Sequence, residues 1–112
     1  MKAATPAERI LAAIRALPRG SVTGYGEIAR RAGLPRRARL VARLLAQNED
    51  PDLPWHRVLR SDGRIAFPPD SHGYREQTQR LRSEGVQVEA GRVRNLLRGG
   101  SDLDALLWAP PD

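Results

Sequence analysis

Apolar residues recur at helical spacing from the start of the chain. Ile10, Leu11, Ile14 and Leu17 fall on one face of a predicted helix. Thr5-Pro6-Ala7-Glu8 reads as a capping box with Pro at the first helical position, and Pro18-Arg19-Gly20 ends the element. Ser21-Val22-Thr23 is a short extended link. A second helix is predicted from Gly24 or Tyr25 to about Ala32, with Glu27 at the positive end of its dipole and Gly33 as a left-handed C-cap. Leu34-Pro35 opens a third, running to about Gln47. Its inward stripe is Ala38, Val41 with Ala42, and Leu45, while Arg36, Arg37, Arg39 and Arg43 lie largely off it. Two helices joined by a short Gly-containing turn make a helix-turn-helix over about 24–47.

The second half is less regular. An acidic, Pro-containing loop, Asn48 to Leu53, leads into Pro54-Trp55-His56-Arg57-Val58. Val58-Leu59 and Ile65-Ala66 flank Ser61-Asp62-Gly63 and predict a short hairpin or an irregular extended pair. Pro68-Pro69 stops it. A fourth helix is predicted from Ser71 or His72 through Glu84, with a weak inward pattern of Tyr74, Gln77 or Thr78, and Leu81, closed by Gly85. Val86-Gln87-Val88 alternates like a strand, and Gly91 to Leu97 is a second short extended segment. Beyond Gly99-Gly100, Ser101 to Trp108 caps and carries a final helical turn. The expected fold class is α+β, mostly helical, a single winged-helix-like domain over 1–112 with a helix-turn-helix and short strands.

Composition adds a partner class. The chain carries 19 basic against 13 acidic residues, a net charge of +6 and a pI near 11.1. That balance favours a polyanion. All the basic residues but Lys2 are Arg, whose planar fork suits phosphate and base edges. Between Arg30 and Arg43 there are six arginines and no acid. Such a run is ordinarily a solvated face, but without compensation on two adjacent short elements it favours phosphate contact. There is no cysteine. Disulfides and cysteine–zinc sites are excluded, and no thiol exists to act as a nucleophile. With only His56 and His72, no histidine metal site and no cofactor are expected. No signal peptide or membrane-spanning run is visible, so a cytoplasmic protein, nucleoid-associated if bacterial, is expected.

Taken alone, Trp55 and His56 fit a core aromatic and its satisfied neighbour. The pentapeptide 54–58, however, resembles the Pro-Cys-His-Arg-Val motif of O6-alkylguanine-DNA alkyltransferases, with Trp55 in place of the acceptor cysteine. That exchange is similar to the alkyltransferase-like proteins, and the resemblance runs from about residue 5 to Trp108. It implies minor-groove binding, extrusion of the damaged nucleotide and no alkyl transfer, since indole offers no comparable nucleophile. It implies a lesion pocket of Tyr25, Trp55, Val58 and Arg64, closed by the loop from Gly63 to Pro69. Tyr25, flanked by two glycines, would meet the backbone beside the flipped nucleotide. Arg39, in Arg37-Ala38-Arg39-Leu40-Val41-Ala42, would fill the gap in the stack, with Arg36, Arg37 and Arg43 on phosphates. The relay residues His56, Arg57 and Glu84 would be structural, Asn48 would be the hinge asparagine, and Trp108 would pack the tail.

The expected function is therefore a non-enzymatic, monomeric sensor of O6-alkylguanine in duplex DNA that marks it for nucleotide excision repair proteins. A sequence-specific helix-turn-helix regulator is compatible with the same residues. So is an enzyme with another acceptor or a base-excising activity, or an engineered Cys→Trp alkyltransferase.

Overall fold

The structure, a computed structural model, describes residues 3–93. The expected packing role of Trp108 and the elements after Val93 lie outside the described residues. Helix α1 spans Pro6–Arg15. The Thr5 hydroxyl accepts from the Glu8 N–H at 3.1 Å, and the Glu8 carboxylate accepts from the Thr5 N–H at 2.8 Å. Both bonds of the capping box are made. Ile10 and Ile14 on its inner face are fully buried.

Strand β1, Thr23–Gly24, leads into α2, Tyr25–Arg31. Gly33 ends α2 with φ +78°, and the Leu34 N–H returns to the Ala29 carbonyl at 2.8 Å. Arg9 of α1 donates to the carbonyls of Ala32 and Gly33 at 2.9 and 3.3 Å, satisfying the end of α2 from outside.

Helix α3 is Ala38–Ala46, three residues shorter at its start than the Leu34-Pro35 opening predicts. Pro35 is not a first helical residue. Leu34 to Arg37 form a turn closed by Arg37 N–H to Leu34 carbonyl at 3.2 Å, with Arg36 at φ +70°. Pro at the second position and a left-handed residue at the third are the pattern of a type II turn. Arg36 and Arg37 therefore sit on the turn, and Arg39 and Arg43 on the helix.

A single 3-10 turn, Trp55–Arg57, precedes β2, Val58–Leu59. The Asp-Gly turn forms, with Gly63 N–H on the Arg60 carbonyl at 2.8 Å and Arg60 N–H on that of Arg64 at 2.9 Å. Its limbs then part, so the predicted hairpin is limited to its tip. β2 pairs in parallel with β1, Thr23 opposite Val58, while the Ile65 N–H goes to the Gly91 carbonyl at 2.8 Å. Helix α4, His72–Ser83, is capped by the Ser71 hydroxyl on the Tyr74 N–H and closed by Gly85 at φ +86°. β3, Val88–Glu89, and β4, Arg92–Val93, form an antiparallel wing, to which Arg64 adds a bridge opposite Arg92.

Two apolar clusters result. One gathers Ile10, Ile14, Ile28, Val41, Leu53 and Val58 beneath α1–α3. The other gathers Leu59, Ile65, Leu81, Val86, Val88 and Val93 beneath α4 and the wing. Consecutive strand residues face opposite sides, so Val58 enters the first cluster and Leu59 the second. The motif before β2 is thus fixed at the partition between two cores. The architecture is α+β and winged-helix-like.

Candidate nucleic-acid interface

The motif turn is held by one carboxylate. Glu84, just past α4, has a side chain only 6% exposed. Its Oε1 accepts from Arg57 Nε at 3.0 Å and the Gly20 N–H at 2.9 Å. Its Oε2 accepts from Arg57 Nη2 at 2.7 Å and His56 Nε2 at 2.8 Å. Arg57 Nη1 continues to the Leu17 carbonyl at 2.8 Å. Burial works against ionisation of Glu84. The bonds from Arg57, Gly20 and His56 outweigh it and lower its pKa to about 2. Burial lowers the pKa of His56, partly offset by Glu84, which favours a neutral ring donating from Nε2. His56 Nδ1 is buried with no hydrogen-bond partner among the described residues.

Gln77 of α4 secures the same turn from below. Its Nε2 donates to the His56 carbonyl at 3.0 Å and to that of Val58 at 3.1 Å. A polar side chain is buried there because the short strand and 3-10 turn leave carbonyls needing donors. Upstream, the Asn48 amide bonds the Asp50 carbonyl and accepts from the Asp50 N–H, closing the loop that enters the motif.

Above this support lies a cavity of about 470 Å³. Trp55 forms part of its wall. Ala42, Leu45 and Ala46 of α3 form another part, and Tyr25, Asn48, Val58 and Gln77 complete the interior. Ala66, Phe67 and Pro68 border it on the loop side. Phe67 is 41% exposed, an unusual position for a large apolar side chain, and meets Trp55 edge-on with centroids 5.9 Å apart. Gly73 leaves room for it, since a Cβ there would come within 2.6 Å of the Phe67 ring. Arg80 places its guanidinium 5.5 Å from the centroid of Trp55 and is itself held by Glu76 at 2.8 and 3.0 Å.

The structure redraws the basic run. Arg30 and Arg31 both pair with Glu27, at 2.5 and 2.9 Å, so an acid three residues before the run neutralises part of the cluster. Arg36, Arg37, Arg39 and Arg43 are exposed and have no carboxylate partner among the described residues. Arg39 and Arg43 lie one turn apart on α3, on the stripe adjoining Ala42 and Ala46. One helix thus presents cations to solvent and small apolar residues to the cavity.

Of the four residues expected in the pocket, Tyr25, Trp55 and Val58 line the cavity. Arg64 does not. The Asp62-Gly63 turn and the bridge to Arg92 carry it to a neighbouring concavity, where it faces Asp62 at 3.8 Å. His56, Arg57 and Glu84 come together as one network. Phe67 and the Arg80–Trp55 contact were not singled out from sequence, and Gln77 only as an alternative to Thr78 on the inward face of α4. An aromatic directly before Pro68-Pro69 was the available signal for Phe67, whereas nothing in α4 distinguishes Arg80 from its other arginines. No group that could hold a metal occurs among the described residues, and none of their helices is long and apolar enough to cross a membrane.

Residues 5–86 match the family model of the 6-O-methylguanine DNA methyltransferase DNA-binding domain. The chain is 40% identical over 87 residues to the DNA base-flipping protein of Vibrio parahaemolyticus, covering 76% of this chain and 85% of that protein. It is 38% identical over 81 residues to alkyltransferase-like protein 1 of Schizosaccharomyces pombe, covering 71% and 75%. Among solved structures, S. pombe Atl1 in complex with damaged DNA containing O6-carboxymethylguanine matches with a TM-score of 0.70 at 34% identity, covering 84% of this chain and 91% of that one.

The Glu84 network makes a stability prediction. Glu84→Gln removes the charge from under two buried partners and is expected to cost roughly 3–5 kcal/mol in chemical denaturation. Both Glu84 and His56 have folded pKa values below their ordinary 4.5 and 6.5, so each contributes stability at neutral pH that is lost on acidification. The wild-type denaturation midpoint should begin to fall below about pH 6.5 and drop most steeply from about 4.5 towards 2. The Glu84→Gln variant should lose the steep lower part. A midpoint independent of pH in that window would show that the carboxylate is not held as described.

Proposed function

Since the chain belongs to the family of the 6-O-methylguanine DNA methyltransferase DNA-binding domain, on its alkyltransferase-like, DNA base-flipping side, we propose that it reads O6-alkylguanine in duplex DNA without reacting with it. Its role is non-enzymatic sensing of DNA damage by base flipping, because a chain without cysteine has no acceptor for alkyl transfer. The observation that carries the lesion assignment is the cavity beside α3. It is walled by Trp55 where the related enzymes' motif has cysteine, and it adjoins a helix whose arginines are unpaired among the described residues.

In this reading the duplex lies against α3 with its minor groove. Arg36, Arg37 and Arg43 meet phosphates, and each such contact makes affinity salt-dependent. Arg39 enters the stack in place of the extruded base, a role suited to a planar cation that stacks and donates at once. Tyr25 meets the backbone at the cavity mouth. The base rests against Trp55, with Val58 behind it. Extrusion costs a few kcal/mol, less for a base that already pairs poorly, so a pocket without chemistry still discriminates. His56, Arg57 and Glu84 support the wall. The protein acts as a monomer in the cytoplasm, and the occupied lesion is marked for nucleotide excision repair proteins.

The test is a titration at fixed salt with a duplex carrying one O6-methylguanine and with its unmodified counterpart, followed by intact-mass measurement of the protein. Tighter binding to the lesion with unchanged mass is expected. Arg39→Ala should weaken lesion binding by roughly 1–3 kcal/mol while leaving the denaturation curve in place. Equal affinity for both duplexes would favour a helix-turn-helix regulator instead. An added methyl mass would reveal an acceptor and overturn the non-enzymatic reading.

A further inference from the structure

The turn that takes Arg64 out of the cavity places it in a row of like charges. The Arg60 N–H bonds the Arg64 carbonyl at 2.9 Å, and Gly63, at φ +86°, takes the extra position of the turn, so Arg60 and Arg64 stand opposite one another. Arg64 is bridged opposite Arg92, and Arg92 is paired opposite Glu89 in the wing. Residues opposite one another across antiparallel strands put their side chains on one face. All four line a single concavity of about 600 Å³. Three exposed guanidinium groups thus stand side by side, with carboxylates only at the margins. Glu89 ends the row, and Asp62 at the turn tip lies 3.8 Å from Arg64, an exposed pair that compensates little. Like charges directly opposite one another cost a sheet stability. An anion laid across the row would relieve that repulsion.

The position of the row indicates which anion. Ser61 lies against Gly26, where a Cβ would meet its Oγ at 3.5 Å, so the row starts beside the first turn of α2. Burial raises the pKa of the Tyr25 hydroxyl and the charge of Arg60 opposes the rise, which sets Arg60 near the cavity mouth. Ala66, Phe67 and Pro68 line the cavity on one side and the concavity of the row on the other. The cavity therefore lies between two sets of cations, those of α3 and those of the row. A strand that sends one nucleotide into the cavity carries phosphates to either side of it.

We propose that Arg60, Arg64 and Arg92 form a second phosphate-binding surface, which holds the lesion-bearing strand on the far side of the cavity from α3. This rests on the function proposed above. The row meets backbone and not base, so it adds affinity without adding preference for the lesion.

The experiment measures binding of O6-methylguanine and unmodified duplexes across a salt series by the wild type and by a variant combining Arg60→Gln, Arg64→Gln and Arg92→Gln. The variant should bind both duplexes at least about tenfold more weakly, and its salt slope should be shallower by about two to three. The ratio between the two duplexes should change little. Its denaturation midpoint should hold or rise, since opposed like charges are removed. Arg75→Gln takes a charge from α4, outside both concavities, and should leave the slope nearly unchanged. Neutral methylphosphonate linkages beside the modified guanine should weaken the wild type more than the triple variant. An unchanged slope, or an equal fall for Arg75→Gln, would overturn the surface, and so would a midpoint that drops along with binding. Methylphosphonates acting equally on both proteins would overturn its assignment to the lesion strand. Failure of lesion sensing is read separately, as equal wild-type affinity for the two duplexes.

Discussion

One carboxylate with four donors holds the working part of this molecule in place. Glu84 receives Arg57 twice, His56 once and the Gly20 backbone once, all within 3.0 Å. A buried charge is tolerated only when its lone pairs are met in this way. The bonds join three segments distant in sequence: the end of α4, the loop after α1 and the 3-10 turn that carries Trp55. Arg57 extends the tie to Leu17. Trp55 thereby projects from a support with little freedom, although it sits in a three-residue turn that would not hold its shape alone.

The apolar packing works to the same end. β2 is only two residues long, yet Val58 and Leu59 belong to different clusters. A shift by one residue would send each into the other's cluster and mispack both. Gln77 fixes that register through the carbonyls of His56 and Val58. The chemistry then follows from one position. The His56–Glu84 pair persists where the related enzymes' motif implies a relay to a thiolate. With indole beside it and no sulfur in the motif, the pair has no nucleophile to activate and serves as structure. Trp55 in turn offers a flat face to a cavity whose opposite side is helix α3.

Local signals with a covalent or hydrogen-bonding logic were legible in the sequence. The Thr5–Glu8 capping box, the Gly33 and Gly85 caps and the Asp62-Gly63 turn all form where their residues predict. The motif 54–58 identified the wall of the cavity because its residue order is specific. Signals that depend on the third dimension were not legible. Pro35 fits a helix start and a turn equally well, and Arg36 at φ +70° decided for the turn. The six-arginine run looked uncompensated because Glu27 precedes it, yet one helical turn brings Glu27 to Arg30 and Arg31. The weak pattern of α4 came from Gln77, a polar residue whose burial is paid for by backbone carbonyls far along the chain. Arg64 is next to the turn in sequence but leaves the cavity because Ile65 pairs with the wing.

The most direct measurement follows the emission of Trp55 itself. In a Trp108→Phe protein Trp55 is the single tryptophan, so its fluorescence reports the cavity wall alone. A base received against the indole should change that emission in proportion to bound O6-methylguanine duplex. Unmodified duplex at the same occupancy should leave it nearly unchanged. Saturation by the lesion duplex with Trp55 emission unaltered would mean that the damaged base goes elsewhere, and that this cavity is not the site at which it is read.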